Sequence, residues 1–199
     1  MIISALLAMF IISLADLLGL SLSIALSYLC FRVYKVGEKD ILFLALAWLF
    51  LAFALLLEAI HVAMLLASYL VGEIIFLEPF APQYSHIWLT SSALQVLSFL
   101  MIFLFYYQRR RMQFPLVFIP ISKTLIDVII VLILVSLIQL IRKGEADKKV
   151  VLGFSFILLS YLSLVLEKIV TTGFFFLMSS LFKLIGLYLI FIVVWKVRV

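Results

Sequence analysis

The sequence predicts an all-α polytopic membrane protein, with six transmembrane helices arranged as two three-helix pseudo-repeats. Three observations predict it. Apolar residues make up 68% of the chain, against about 45–50% in globular proteins. Six long apolar stretches follow one another, separated by polar breaks. The same polar residue types also recur at matching places in the two halves. No soluble fold of 199 residues hides that much apolar surface, so the solvent is lipid.

A bilayer core about 30 Å thick needs roughly 20 apolar residues per helix, and the spans are expected near 8–32, 41–61, 88–108, 120–141, 150–170 and 174–195. The first carries Asp16 and ends in a basic, glycine-containing turn, FRVYKVGEKD. No basic residue precedes Arg32, so this segment is expected to stay as a span and not as a cleaved leader. The second, FLALAWLFLAFALLLEAI, runs unbroken to Glu58. Residues 62–87 are the least regular stretch. They continue the second span and then turn at Glu78-Pro79-Phe80-Ala81-Pro82, an element suited to the membrane interface or to a partner. The third span begins at a Ser91-Ser92 pair and stops at YYQRRRMQFP. Arg109, Arg110 and Arg111 there are a stop-and-anchor signal and candidate ligands for an anionic lipid headgroup. The fourth carries Asp127 and ends at IRKGEADKK, the fifth ends at Glu167, and the sixth carries Ser179, Ser180 and Lys183.

The halves, 1–111 and 112–199, align at polar positions. Phe43–Ile60 lies over Leu152–Ile169, both ending Leu-Glu-x-Ile, and Ser91–Phe103 lies over Ser179–Phe191, with Gln95 matching Lys183. Periods this long indicate duplicated transmembrane units. An odd number of spans per unit predicts halves that face opposite ways. Arg32, Lys35, Lys39, Arg109, Arg110, Arg111, Lys123 and Lys168 then fall on one side, and Arg142, Lys143, Lys148, Lys149, Lys196 and Arg198 on the other. That weak asymmetry is what an inverted duplication produces, with the triple arginine inside and the N-terminus outside.

Helical rise converts these positions to depth. Measured from the basic residues ending each span, Asp16 lies roughly 24 Å in, and Glu58 and Ser91 roughly 27 Å, with Gln95 a turn shallower. They form one expected layer toward the outer leaflet. Asp127, Glu167, Ser179 and Lys183 form a second, expected in the other leaflet, where Lys183 pairs with Asp127, Glu167 or both. Ionisable groups at such depths are costly and mark function or a buried partner. The first layer holds two carboxylates and no evident cation, which makes it a candidate proton or cation site. For Glu58 and Glu167 the structural alternative is that they simply mark the interface.

Glu58 and His61 share a helix face at i, i+3, and His86 precedes the third span. Carboxylate and imidazole suit zinc or iron, and Glu-x-x-His is half of a di-iron motif. The second half offers Glu167-Lys-Ile-Val170 instead, so the expectation is no bound metal and no cofactor. There is no Gly-x-Ser-x-Gly, phosphate-cradling loop, Cys-x-x-Cys or His-Glu-x-x-His, and no enzymatic activity is expected. Net charge is +5, but the basic residues sit at span ends, where lipid accounts for them and nucleic acid is not an expected partner. Cys30 is the single cysteine and packs as a small hydrophobe.

The segments SSLFKLIGLYLIFIVVWKVR and YLCFRVYKVGEKDILFLALAWLFLAFALLLEAI resemble the membrane-embedded sensor modules found ahead of signalling enzymes in prokaryotes, and their stand-alone small relatives in archaea. Lys183 stands where a late span of those modules carries Lys, followed by a small-aromatic stretch. The histidine often found before that Lys is Ser179 or Ser180 here, and no output domain follows. The resemblance implies a non-enzymatic sensory, regulatory or accessory protein of the cell membrane, acting through a protein partner or as a homo-oligomer. The alternative is a small transporter or proton/cation conduit built from inverted repeats.

Overall fold

The computed structural model describes residues 2–36, 38, 40–70, 85–108, 123–143, 147–170 and 174–196. It is all-helical: α1 (Ile2–Tyr34), α2 (Ile41–Leu70), α3 (Ser85–Gln108), α4 (Lys123–Arg142), α5 (Lys148–Val170) and α6 (Phe174–Lys196). In an apolar surround every backbone polar group must be satisfied within its own segment, which an α-helix achieves and an open strand does not. Several serines inside the helices obey the same constraint, although the buried Ser23 hydroxyl does not. Ser21 donates to Leu17 O, Ser155 to Val151 O and Ser163 to Leu159 O, each one turn back. Asp147 caps α5, its Oδ1 accepting from Lys149 N at 2.8 Å.

Among the described residues five helices, α1, α2, α3, α5 and α6, are long and apolar enough to cross a membrane, and only 33–39% of an 18-residue apolar window of each is buried. The remainder, including Leu7, Phe10, Phe53 and Tyr188, faces outward. A water-facing bundle would bury that surface, so these are the helices of a membrane-embedded protein. α2 runs to Leu70, well past the expected end of the second span, whereas the Pro79–Pro82 turn and Arg109–Arg111 lie outside the described residues.

Each helix packs on its chain neighbours and α6 packs on α1, so the six close into a ring. The centre is filled by side chains reaching across it. Trp48 of α2 stacks on Phe154 of α5 with ring centroids 6.4 Å apart, and Phe99 of α3 meets Tyr161 of α5 edge-on at 5.6 Å. Leu26, Leu51, Ile130, Leu134, Ile157 and Leu187 complete the core.

Contacts between named residues fix the helix directions. Gly19 faces Leu55 and Ser27 donates to Ala45 O, so α1 and α2 are antiparallel. Ser91 donates to Ala54 O and Ser98 to Ala47 O, so α3 runs opposite to α2. Trp48 is level with Phe154, while Glu58 and Tyr161, about two to three turns further along, share Gln95. α2 and α5 are therefore parallel. α6 runs against α5, since Ser160 meets Ser179 and Ile157 meets Gly186. α4 ends at Arg142 and α5 begins at Lys148, and the two pack together, so α4 also runs against α5. The halves consequently run in the same direction. Inverted halves, expected from an odd number of spans, are not what the structure has: α3 ends and α4 begins at opposite ends of the bundle. Residues 109–122 supply up to about 48 Å of extended chain, against roughly 30 Å for a helix the length of α4. One end, the turn end, holds the α1–α2 and α4–α5 turns. The other is the chamber end.

Two glycines set the closest approach. A Cβ on Gly186 would stand 2.6 Å from Gly153 O and 3.1 Å from Ile157 N, and one on Gly153 would stand 2.9 Å from Gly186 O. These obstacles are backbone, so α5 and α6 would have to separate. Gly186→Ala is expected to lower stability by about 2 kcal/mol, read as a reduced melting temperature in detergent. Gly19→Ala is the control, because its Cβ meets only the tips of Leu55 and Leu187 at 3.3 and 3.4 Å. Equal effects of the two substitutions would refute the close crossing.

Candidate functional site

A buried polar network occupies the middle of the ring, drawing side chains from five helices. α6 carries Lys183, whose Nζ donates to Glu58 Oε2 of α2 at 2.8 Å; the two side chains are 4% and 20% exposed. The other oxygen of Glu58 accepts from Gln95 Nε2 of α3. The Gln95 amide also donates to Ser91 Oγ at 3.2 Å, and its carbonyl oxygen accepts from the Tyr161 hydroxyl of α5. Ser91 in turn donates to Ala54 O at 3.0 Å. The Gln95 amide thus has both donors and its acceptor in use, which fixes its orientation. Asp16 of α1, 3% exposed, hydrogen-bonds Ser180 and lies in the field of both Glu58 and Lys183. Ser179 and Ser160 share a hydrogen bond of 3.0 Å beside it. Lys183 Nζ also sits 5.7 Å from the centroid of the Tyr161 ring.

The local sequence explains why these groups converge. On α2, Ala45, Ala47, Ala52 and Ala54 are buried, leaving carbonyls that Ser27, Ser98 and Ser91 reach from α1 and α3. Small residues allow such close approach, and hydroxyls bind the helices together where no water competes. Glu58 and His61 then rise on one face above this seam.

A cavity of about 30 Å³ adjoins the network, space for one or two waters. Asp16, Glu58, His61, Ser91, Ser179, Ser180 and Lys183 give it a polar floor and sides. Trp88, Leu164 and Phe176 lie a turn nearer the chamber end. Toward the turn end the ring is closed by Trp48, Leu51, Phe99, Phe154 and Leu187. Among the described residues the polar lining therefore lies on the chamber side of this apolar closure.

Several expectations are corrected by this geometry. Two layers in opposite leaflets are replaced by one layer, because parallel halves bring their matching residues to the same height. Lys183 forms its salt bridge with Glu58 of the other half, which supplies the cation the first layer lacked. Asp127 is buried and close enough to act electrostatically on Lys183 and Tyr161. Glu167 instead accepts from Phe175 N at 3.1 Å, capping α6. His61 lines the cavity, whereas His86 is exposed at the start of α3 and the two do not form a shared site. Among the described residues no group of three or more His, Cys, Asp and Glu side chains is placed to hold a metal.

Tyr161, Ser160, Ser180 and Trp88 were not among the expected site residues. The signal for Tyr161 was present, since a tyrosine deep inside a span must find a partner for its hydroxyl. No protein-family model, curated protein or solved structure matches the chain.

Proposed function

We propose that this chain is a non-enzymatic, six-span protein of the cell membrane with a sensory, regulatory or accessory role. Its polar chamber receives a small ligand, and its helices carry the response to a protein partner or a second copy. The observation carrying this reading is the apolar plug. Directly beneath Lys183 and Glu58, the Trp48–Phe154 stack and its neighbours fill the ring. The described helices run past it without a break, which supports a site closed on one side over a path across the ring. In this reading the two halves are a parallel duplication about an axis along the ring. Of the described basic residues, Arg32, Lys35, Arg142, Lys143, Lys148, Lys149 and Lys196 lie at the turn end, against Lys123 and Lys168 at the other end and Lys183 between them. By the positive-inside rule that end is cytoplasmic and the chamber faces outward.

The second reading, a small transporter or ion conduit, is favoured by one specific observation. Halves of the same direction are a known plan for transporters, related by an axis along the membrane normal. Purified protein in vesicles carrying a pH- or sodium-sensitive dye separates the readings. The expected result is flux no greater than in protein-free vesicles under an imposed gradient and potential. Flux abolished by Glu58→Gln would establish the conduit instead.

A further inference from the structure

The chamber carries a charge imbalance that identifies its ligand. Two carboxylates, Asp16 and Glu58, line it with one ammonium, Lys183. That ammonium is committed to Glu58 at 2.8 Å, while Asp16, 3% exposed, has the neutral Ser180 hydroxyl as its hydrogen-bond partner. A buried carboxylate without a full countercharge is costly. Next to it lies a cavity of about 30 Å³, lined by Asp16, Glu58, Ser91, Ser179 and Ser180 among others.

We infer that this chamber binds a sodium-sized monovalent cation between the Asp16 carboxylate and the Ser179 and Ser180 hydroxyls. Hard oxygen donors suit an alkali or alkaline-earth ion and disfavour zinc or copper. Space selects among the former: a divalent ion such as calcium seeks six to eight oxygens, more than a cavity of about 30 Å³ accommodates, while Asp127, outside the lining, shares the field of Lys183. Lys183 faces the ion across Glu58 and keeps that carboxylate occupied, leaving Asp16 as the anionic ligand. His61 borders the same cavity from α2.

This inference rests on the chamber being a ligand site, as in the sensory reading, and one experiment tests it separately. The melting temperature of the purified full chain is measured in detergent at constant ionic strength, with choline chloride replaced stepwise by sodium chloride. Binding to the folded state alone gives a saturable rise, expected to reach a few degrees. Asp16→Asn removes both the ligand and the unmatched charge. It is expected to abolish the rise and to melt no lower than the parent in choline chloride. If that variant fails to fold, Ser180→Ala serves, with the sodium midpoint moved severalfold higher. Equal melting temperatures in sodium and choline overturn the cation site, as does a response that persists in Asp16→Asn or keeps its midpoint in Ser180→Ala. Stabilisation by acidification alone, without a sodium effect, also overturns it, because a proton would then be neutralising Asp16. Sodium stabilisation accompanied by sodium flux in vesicles would uphold the site and displace the sensory reading. Absence of both would remove the site and leave that reading standing.

Discussion

Lys183→Met is expected to destabilise the folded bundle by about 3 kcal/mol, the range found when one partner of a buried ion pair is removed. The substitution keeps the length and packing of the side chain and deletes its charge. Glu58 loses its only described salt bridge, and Asp16 loses the nearest positive charge, so two carboxylates face each other across a small cavity. Glu58→Gln is expected to cost much less. It leaves Lys183 within the fields of Asp16 and Asp127, and the new amide still accepts a hydrogen bond. The double variant Lys183→Met/Glu58→Gln should recover most of the loss, because the uncompensated charge on Glu58 is then gone. Unfolding by denaturant or heat in one detergent measures all three. Equal costs for the two single variants, with no recovery in the double, would show that Lys183 acts by packing alone.

The ordering of those costs follows from a feature only partly legible in the sequence. Asp16, Glu58, Gln95, Asp127 and Lys183 stood out because ionisable and amide groups inside apolar spans require an explanation. Their depths along each helix were also readable, since rise per residue is fixed. Which leaflet each depth belonged to was not. Depth was measured from span ends, and assigning an end to a side required knowing how the third and fourth helices connect. Placing Arg109–Arg111 and Lys123 on one side, as an odd number of spans per half requires, inverted the second half and sent Lys183 away from Glu58. The basic residues carry the correction. With inverted halves they divide almost evenly, whereas with parallel halves both basic turns and Lys196 share an end. A strong lysine and arginine bias is the commoner pattern for short loops, so charge distribution could have decided between the arrangements.

Other features escaped for physical reasons. Gly153 and Gly186 lie on different helices, so no spacing within one helix could reveal their close approach. Ser21, in the small-residue run Ser21-Leu-Ser-Ile-Ala25, is exposed and bonds back to Leu17. Small residues promote contact only on a face that meets a neighbour. Glu167 matched Glu58 in its local sequence but has a different task. It stands near the end of α5, where the first N–H groups of α6 lack partners, and a carboxylate there is favoured by the helix dipole as well as by Phe175 N. Local likeness between the halves therefore located both glutamates and could not say which would meet the lysine.

Single-cysteine labelling reads the helix directions in an all-or-none way. Cys30, which is buried, is first replaced by Ser. Single cysteines are then placed at Val36, Lys143 and His86, all of them exposed. Val36 follows α1, and Lys143 follows α4, both at the turn end; His86 lies near the start of α3 at the chamber end. A membrane-impermeant maleimide applied to intact cells is expected to label the His86 site and neither of the other two. After permeabilisation all three should react. The decisive comparison is between Val36→Cys and Lys143→Cys, because inverted halves require them to differ and parallel halves require them to agree. Labelling of one alone would refute the shared direction of the halves, and with it the single polar layer, since Lys183 and Glu58 would no longer lie at one height. Labelling of both, with His86 protected, would keep the architecture and reverse the membrane orientation. The chamber would then face the cytoplasm, and its ligand would be drawn from inside the cell.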